Sequence, residues 1–238
     1  MSTLVLTAHG SRDPRSGANA EAVADRLARM RPDLDVRLAF LELNAPNFAD
    51  VLSALPDSRS AVVAPLLLAS AYHARLDIPK QIAEAGAHGI RQADVLGEDD
   101  RLVSVLRERL TEVGVSPLDE DLGVMVVAIG SSNLAANART AKVASRLAIG
   151  TRWAAATTAF ATRPEASVER AADHLRRRGA GRLVIAPWFL APGLLTDGVS
   201  NYARDNGIPM ASPLGSHRLV AETVLDRYDD AVAADVAA

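Results

Sequence analysis

Short sequence words in the first half of the chain recur, in the same order, in the second half. The segment Val23–Ala28 (VADRLA) returns as Val143–Ala148 (VASRLA), 120 positions later. Other matched words are Gly10-Ser11 with Gly130-Ser131, Val62–Pro65 with Val184–Pro187, and Leu96-Gly97 with Leu214-Gly215. Because the words share their order, we interpret the chain as an internal duplication, which predicts two similar lobes.

Within each half, short apolar runs alternate with longer amphipathic segments. Runs such as Leu4–Ala8 and Ala61–Leu68 are typical of strands that are buried on both faces. Ala18–Met30 has apolar residues at helical spacing, as in a helix that covers a sheet. The short run Ile208–Ala211 completes the pattern in the second half. The predicted fold class is therefore α/β, each lobe being an open, mostly parallel, four-stranded sheet flanked by helices.

A change of composition separates the two halves. Residues 114–122 (GVSPLDEDL) combine glycine, proline and three acidic residues, which is typical of a linker. We therefore expect an amino-terminal lobe over residues 1–114, a linker over 115–122 and a carboxyl-terminal lobe over 123–238.

Composition excludes several classes of function. The 238 residues include no cysteine, which rules out disulfides, thiolate metal sites, iron–sulfur clusters and cysteine nucleophiles. The formal net charge of −3 does not indicate the basic face that nucleic acid requires. Since no apolar run has the length of a membrane span and no signal peptide is apparent, we expect a cytoplasmic protein without a membrane or nucleic-acid partner.

Polar side chains follow three predicted strands of the first half, at the points where the strands end. His9 follows the first strand, Glu42 follows the second, and His73 lies in the loop after the third. Because the carboxyl ends of parallel strands share one edge of a sheet, these residues are expected at the same edge. Two imidazoles and a carboxylate suit Fe²⁺, Co²⁺, Ni²⁺ or Zn²⁺, and the same groups transfer protons near neutral pH.

The second half has none of these three groups at the aligned positions, which are Ile129, Thr162, and Leu195 or Gly193. Groups that served only the fold would need equivalents in the copy, so the asymmetry predicts a single site, in the first lobe. In the second lobe, the run Trp188–Leu190 is expected to supply apolar surface. The ordinary alternative is that each residue is structural: a strand-end histidine often serves packing, and an acid such as Glu42 often lies at a helix start.

Three arginines, Arg12, Arg15 and Arg75, flank His9 and His73. Guanidinium groups bind carboxylates with two parallel hydrogen bonds, so the arginines could hold an anionic substrate. The alternative is that they are solvated loop residues.

Four motifs of the first half carry a family resemblance. Three precede His73, namely Ala8–Pro14 (AHGSRDP), Phe40–Leu43 (FLEL) and Pro65–Leu68 (PLLL), and Asp77–Pro79 (DIP) follows it. The chain resembles the sirohydrochlorin chelatases of the CbiX/SirB type, which are class II tetrapyrrole chelatases, and the second half resembles a degenerate copy. One local departure is Ala69–Tyr72, where the family often has glycine.

The resemblance implies a chelatase-like pair of α/β lobes around a cleft. It implies a lyase that inserts Fe²⁺ or Co²⁺ into sirohydrochlorin, toward sirohaem or cobalamin, without ATP or a permanent cofactor. His9 and His73 would bind the metal together with Glu42, and one of the three would accept protons that the ring nitrogens release. The three flanking arginines would bind carboxylates of the ring.

Two other functions compete with this one. A histidine phosphatase would need an Arg-His-Gly motif after the first strand, whereas Ala8 precedes His9 here. A non-enzymatic carrier of metal or tetrapyrrole would need the same ligands as a chelatase, and only turnover distinguishes the two.

Overall fold

The computed structural model describes residues 2–55, 61–69, 76–85 and 89–236. Two sheets organise these residues, and every paired strand within them is parallel, in agreement with the predicted fold class. The first sheet consists of β1 (Thr3–Ala8), β2 (Asp35–Phe40), β3 (Ala61–Pro65) and β4 (Ile90–Gln92), in the spatial order β2-β1-β3-β4. The second consists of β5 (Leu122–Ala128), β6 (Ala155–Phe160) and β7 (Arg182–Trp188), in the order β6-β5-β7.

Helices connect the strands. They are α1 (Pro14–Met30), α2 (Phe48–Ser53), α3 (Ile78–Glu84), α4 (Asp100–Glu112), α5 (Leu134–Thr140), α6 (Lys142–Ala148), α7 (Val168–Arg177), α8 (Leu194–Asp205) and α9 (Arg218–Val236), with a 3₁₀ turn at Pro164–Ala166. No helix in the described part of the chain is both long enough and apolar enough to cross a membrane.

The second sheet has three strands, so the expectation of four strands in that lobe is wrong. The predicted fourth strand, Ile208–Ala211, pairs only through a single bridge between Met210 and Ile185. The amide of Ile185 donates to Pro209 O, and the amide of Ala211 donates to Ile185 O, each at 2.9 Å. Proline has no N–H to contribute to a ladder, which limits the pairing at this edge.

The described residues form two compact units that differ from the two expected lobes. One contains residues 1–99 with 216–238, and the other contains residues 100–215. The last helix of each sequence repeat is therefore exchanged: α4 packs against α6 and β7, while α9 packs against α1 and β3. The predicted linker connects α4 to β5 within the second unit.

Each sheet buries its central strand completely. Every residue of β1 and of β5 is buried, as the continuous apolar runs predict. In the first unit, one face of the sheet packs on a cluster formed by Val5, Ala39, Leu41, Phe48, Leu52, Val63 and Ile78. Burial of a large apolar side chain contributes about 1.5–3 kcal/mol, so the central strands are firm supports for the loops that leave them.

Candidate functional site

The candidate site lies where the order of the first sheet reverses. The chain passes from β1 to β2 on one side and returns to β3 on the other, and ligands bind in such sheets outside the carboxyl ends of the two strands at the reversal. His9 immediately follows β1. The chain leaving β3 runs beside it, since the amide of Leu66 donates to Thr7 O at 2.8 Å.

The structure brings His9 and Glu42 together at this edge. Main-chain pairing continues beyond β1 and β2, because the amide of Leu41 donates to Ala8 O and the amide of Glu42 donates to His9 O, each at 3.0 Å. His9 is partly buried and Glu42 is exposed. A supported imidazole beside an accessible carboxylate offers a nitrogen and an oxygen ligand, and two groups that can carry protons.

His73 and Arg75 lie outside the described residues, so they stay predictions from the sequence. Within the described ranges, no group of three or more histidine, cysteine, aspartate or glutamate side chains could hold a metal ion. His9 and Glu42 are thus the two members of the predicted triad whose positions the structure provides.

Glycine at position 10 is required by the approach of the second loop. Gly10 has φ of +95°, and a Cβ atom there would lie 1.8 Å from Glu42 O. Gly130, at the same place in the repeat, has φ of +97°, and its Cβ would lie 2.9 Å from Thr162 Oγ1. Both repeats therefore need glycine at this position because of the backbone conformation and the close approach of the second loop.

Asn44 is a residue of the site that the sequence analysis missed. Its Oδ1 accepts a hydrogen bond from the amide of Ser11 at 2.6 Å. The main-chain N–H of Asn44 donates to Glu42 O at 2.7 Å, which closes a turn centred on Leu43. Leu43 has φ of 64°. The only signal in the sequence is a turn-forming asparagine two positions after Glu42.

Two of the three predicted substrate-binding arginines are described. Arg12 is exposed. Arg15 donates through Nε to Asp13 Oδ1 at 2.9 Å and forms an ion pair with Asp13 Oδ2 at 2.5 Å. Asp13, which is nearly buried, also caps α1 by accepting from the amide of Arg15 at 3.0 Å. The side-chain hydrogen bond from Arg15 lowers the pKa of Asp13. Arg15 therefore pairs with Asp13, whereas Arg12 is exposed on the loop after His9.

The equivalent edge of the second unit is built differently. Thr162, aligned with Glu42, donates through its hydroxyl to Ile129 O at 2.7 Å, which occupies the side chain with the backbone. The expected apolar surface at Trp188–Leu190 is wrong for Trp188 and Phe189, whose side chains are 2% and 3% exposed because they belong to the core. The exposed apolar residues after these strands are instead Leu134, Leu194 and Leu195.

Together, the features describe a two-unit parallel α/β protein with an imidazole and a carboxylate at one sheet edge. The sequence model of the CbiX family matches the chain twice, over residues 3–113 and 123–231. The chain therefore belongs to the CbiX family, and the two matches correspond to the two sequence repeats.

Relatives of known name agree with this family. A sirohydrochlorin ferrochelatase of Priestia megaterium is 30% identical over 206 residues, which are 82% of this chain and 75% of the relative. A sirohydrochlorin cobaltochelatase of the same organism is 27% identical over 203 residues, 82% of this chain, and the match spans 66% of that relative's length.

The solved structure of SirB from Bacillus subtilis with Fe³⁺ has the same fold. It superposes with a TM-score of 0.81 and 22% sequence identity, over 97% of this chain and 96% of that one. The likeness extends over both units of the chain.

Proposed function

We propose that this protein is a chelatase that inserts Fe²⁺ or Co²⁺ into sirohydrochlorin, a lyase reaction toward sirohaem or cobalamin that needs no ATP. The observation that carries the proposal is the pairing of His9 and Glu42 at the carboxyl ends of β1 and β2, next to the reversal of the first sheet, with Glu42 N donating to His9 O at 3.0 Å. The repeat keeps this loop geometry and replaces both side chains. The names of the two Priestia megaterium relatives support the same chemistry.

The proposed role of His9 is to hold the incoming metal, which is a substrate, through a neutral imidazole. A site with few protein ligands binds the ion moderately and leaves coordination positions for the ring nitrogens. His73, in the loop after β3, is proposed as the second imidazole ligand. This arrangement favours transfer of the metal to the ring over its retention.

Glu42 is proposed as a further ligand and as an acceptor for protons that the ring nitrogens lose. Its exposure allows a proton to pass on to water, and its place beside His9 keeps the acceptor close to the metal. Proton transfer to a positioned side chain contributes about 10²–10⁴-fold to a rate.

Arginines around His9 are proposed to bind ring carboxylates. Arg12 is the exposed candidate on the loop after β1. Arg15, which also pairs with Asp13, is a second candidate, and Arg75 is proposed from the sequence alone. Charge-assisted hydrogen bonds of this kind are stronger than neutral ones and orient a polyanionic substrate.

The remaining parts of the proposal follow the sequence analysis. The partners are sirohydrochlorin and the divalent metal, without nucleic acid or membrane, and no permanent cofactor is needed. The cytoplasmic location expected from the sequence is part of the proposal.

The test is anaerobic visible absorbance of sirohydrochlorin with Co²⁺ or Fe²⁺ in excess over the protein, against a protein-free blank. A chelatase gives many metallated rings for each protein molecule. Binding of ring or metal that stops at one equivalent would support a carrier in its place.

Paired variants locate the chemistry. His9→Ala is expected to lower the insertion rate about 100-fold or more, since it removes the imidazole. Ile129→Ala is the matched control, because Ile129 follows β5 as His9 follows β1 and is also partly buried. Wild-type turnover by His9→Ala would refute the assignment of the site.

A further inference from the structure

Two short loops carry the two candidate metal-binding groups that the structure describes: the His9 loop, residues 9–11, and the Glu42 loop, residues 42–44. Two hydrogen bonds join the loops, and a third within the Glu42 loop completes a closed ring. Glu42 N donates to His9 O at 3.0 Å, Asn44 N donates to Glu42 O at 2.7 Å, and Ser11 N donates to Asn44 Oδ1 at 2.6 Å. Two of these hydrogen bonds are between main-chain atoms, and the one from Ser11 N uses the side chain of Asn44.

The turn that presents Asn44 is strained. Leu43 is the only non-glycine residue with positive φ in the described part of the chain, at 64°. This conformation is unfavourable for a residue with a Cβ atom. The side chain of Leu43 is 62% exposed, so burial does not compensate for the strain. Strain of this kind persists where surrounding contacts enforce it. One contact at this turn is the hydrogen bond that Ser11 N donates to Asn44 Oδ1.

The sequence repeat provides an internal comparison. Ser131, the counterpart of Ser11, also has its amide held by an asparagine, since it donates to Asn137 Oδ1 at 2.9 Å. Asn137 lies in α5, which directly continues the chain after Ser131, and its Nδ2 donates back to Ser131 O at 2.8 Å. The residue aligned with Asn44 is Pro164.

Both units therefore hold the same serine amide, but they hold it from different elements. In the second unit the holding side chain comes from the helix that follows the serine. In the first unit Asn44 comes from the loop that carries Glu42. In the second unit the two loops are joined by other side chains, since Thr162 Oγ1 donates to Ile129 O at 2.7 Å and Arg163 Nη1 donates to Ser131 O at 3.4 Å. Among the described residues, a serine amide held from the opposite loop thus occurs in the unit that has the imidazole and the carboxylate.

We propose that Asn44 is a positioning residue, whose side chain fixes the distance between His9 and Glu42 and thereby sets the rate and the metal preference of insertion. This inference rests on the proposed function. Asn44 acts through Ser11 and the main chain of Glu42, and it need not touch the metal. Residues that orient metal ligands typically change metal affinity or activity about 10–100-fold when they are removed.

The test compares Asn44→Ala, Asn44→Asp and Asn137→Ala in the full chain. Asn44→Ala is expected to lower the insertion rate about 10–100-fold and to change the ratio of the Co²⁺ to the Fe²⁺ rate. Asn44→Asp keeps an oxygen acceptor for the amide of Ser11 and is expected to recover most of the rate. Asn137→Ala removes the corresponding tether of the second unit and is expected to stay within about twofold of the wild type in rate and in metal ratio, because its loop lacks the metal-binding groups.

The outcomes separate the inference from the function. Thermal unfolding of all three variants reports whether they fold. If the wild type inserts metal but Asn44→Ala keeps its rate and metal ratio, the positioning role is refuted. Equal losses in Asn44→Ala and Asn137→Ala would also refute it, since they would indicate a general loss of loop order. Absence of turnover by the wild type overturns the proposed function itself, and the inference with it.

Discussion

The guanidinium of Arg227, in the last helix of the chain, forms an ion pair of 2.9 Å with the carboxylate of Asp99. The same side chain donates to Val95 O and Leu96 O, each at 3.2 Å. The side chains of Arg227 and Asp99 are 23% and 14% exposed, respectively. These bonds hold α9 on the unit that contains the first sheet, although α9 belongs to the second sequence repeat.

Arg227→Ala is expected to lower the free energy of unfolding by about 1–3 kcal/mol, because Asp99 and two carbonyls each lose one hydrogen bond. Denaturant unfolding measures the change. Arg218→Ala is the matched control on the same helix, since its ion pair with Glu222 is more exposed and is expected to contribute less than about 1 kcal/mol. Equal effects of the two variants would contradict the anchoring role of Arg227.

Glu42→Gln is expected to lower the rate of metal insertion by at least about tenfold, since it removes a proton acceptor and a negative charge while keeping the size of the side chain. The melting temperature should stay near that of the wild type because the side chain is exposed. Thr162→Ala, at the aligned position, should leave insertion unchanged. An unchanged rate in Glu42→Gln would exclude Glu42 from the chemistry.

Gly10→Ala is expected to cost about 3 kcal/mol of stability and to abolish metal insertion, because the added Cβ atom would collide with Glu42 O. Gly114→Ala is a control for the backbone conformation alone. Gly114 has φ of +79° with nothing within 4 Å of the added atom, so about 1–2 kcal/mol is expected. Thermal unfolding and turnover compare the two variants, and a mild effect at position 10 would contradict the close approach of the loops.

Asp13→Asn tests the ion pair with Arg15 through pH. The hydrogen bond from Arg15 lowers the pKa of Asp13 below its ordinary value of 3.8, so the carboxylate stabilises the fold above that pH. The contribution is lost as the pH falls through the lowered pKa. Asparagine keeps the helix cap, so the variant should melt below the wild type at pH 7, and the difference should vanish once the pH falls below the lowered pKa of Asp13.

Arg15→Gln provides the complementary measurement for the same pair. Without the guanidinium, the substitution Asp13→Asn should have little further effect on the melting temperature at pH 7. Additive losses in the double variant would show that the two side chains act separately.

The sequence predicted the central strands and the residues at their ends because both depend on local pattern. β1 and β5 appear as continuous apolar runs, and parallel pairing alone is enough to bring His9 and Glu42 to one edge. The repeat predicted two units, and the glycines at positions 10 and 130 marked the loops that leave the central strands.

The wrong or missing predictions concern tertiary contacts, which the local sequence pattern does not determine. The apolar stripe of α4 would suit either sheet, so the sequence does not reveal that α4 and α9 are exchanged. Trp188 was expected at the surface because it ends a strand, yet it completes a core. The role of Asn44 could not be predicted from the sequence, because its contact with Ser11 spans 33 positions and a single asparagine in a turn gives no periodic pattern.

The exchange of terminal helices has a consequence for any attempt to divide the molecule. A fragment that ends at residue 114 would contain His9, Glu42 and His73, and it would also contain α4, whose buried leucines pack on a sheet that the fragment lacks. The same fragment would lose α9 and leave one face of β3 uncovered. The boundary of the sequence repeat is therefore not a boundary of folding, and the half that carries His9 and Glu42 depends for its core on a helix from the other half.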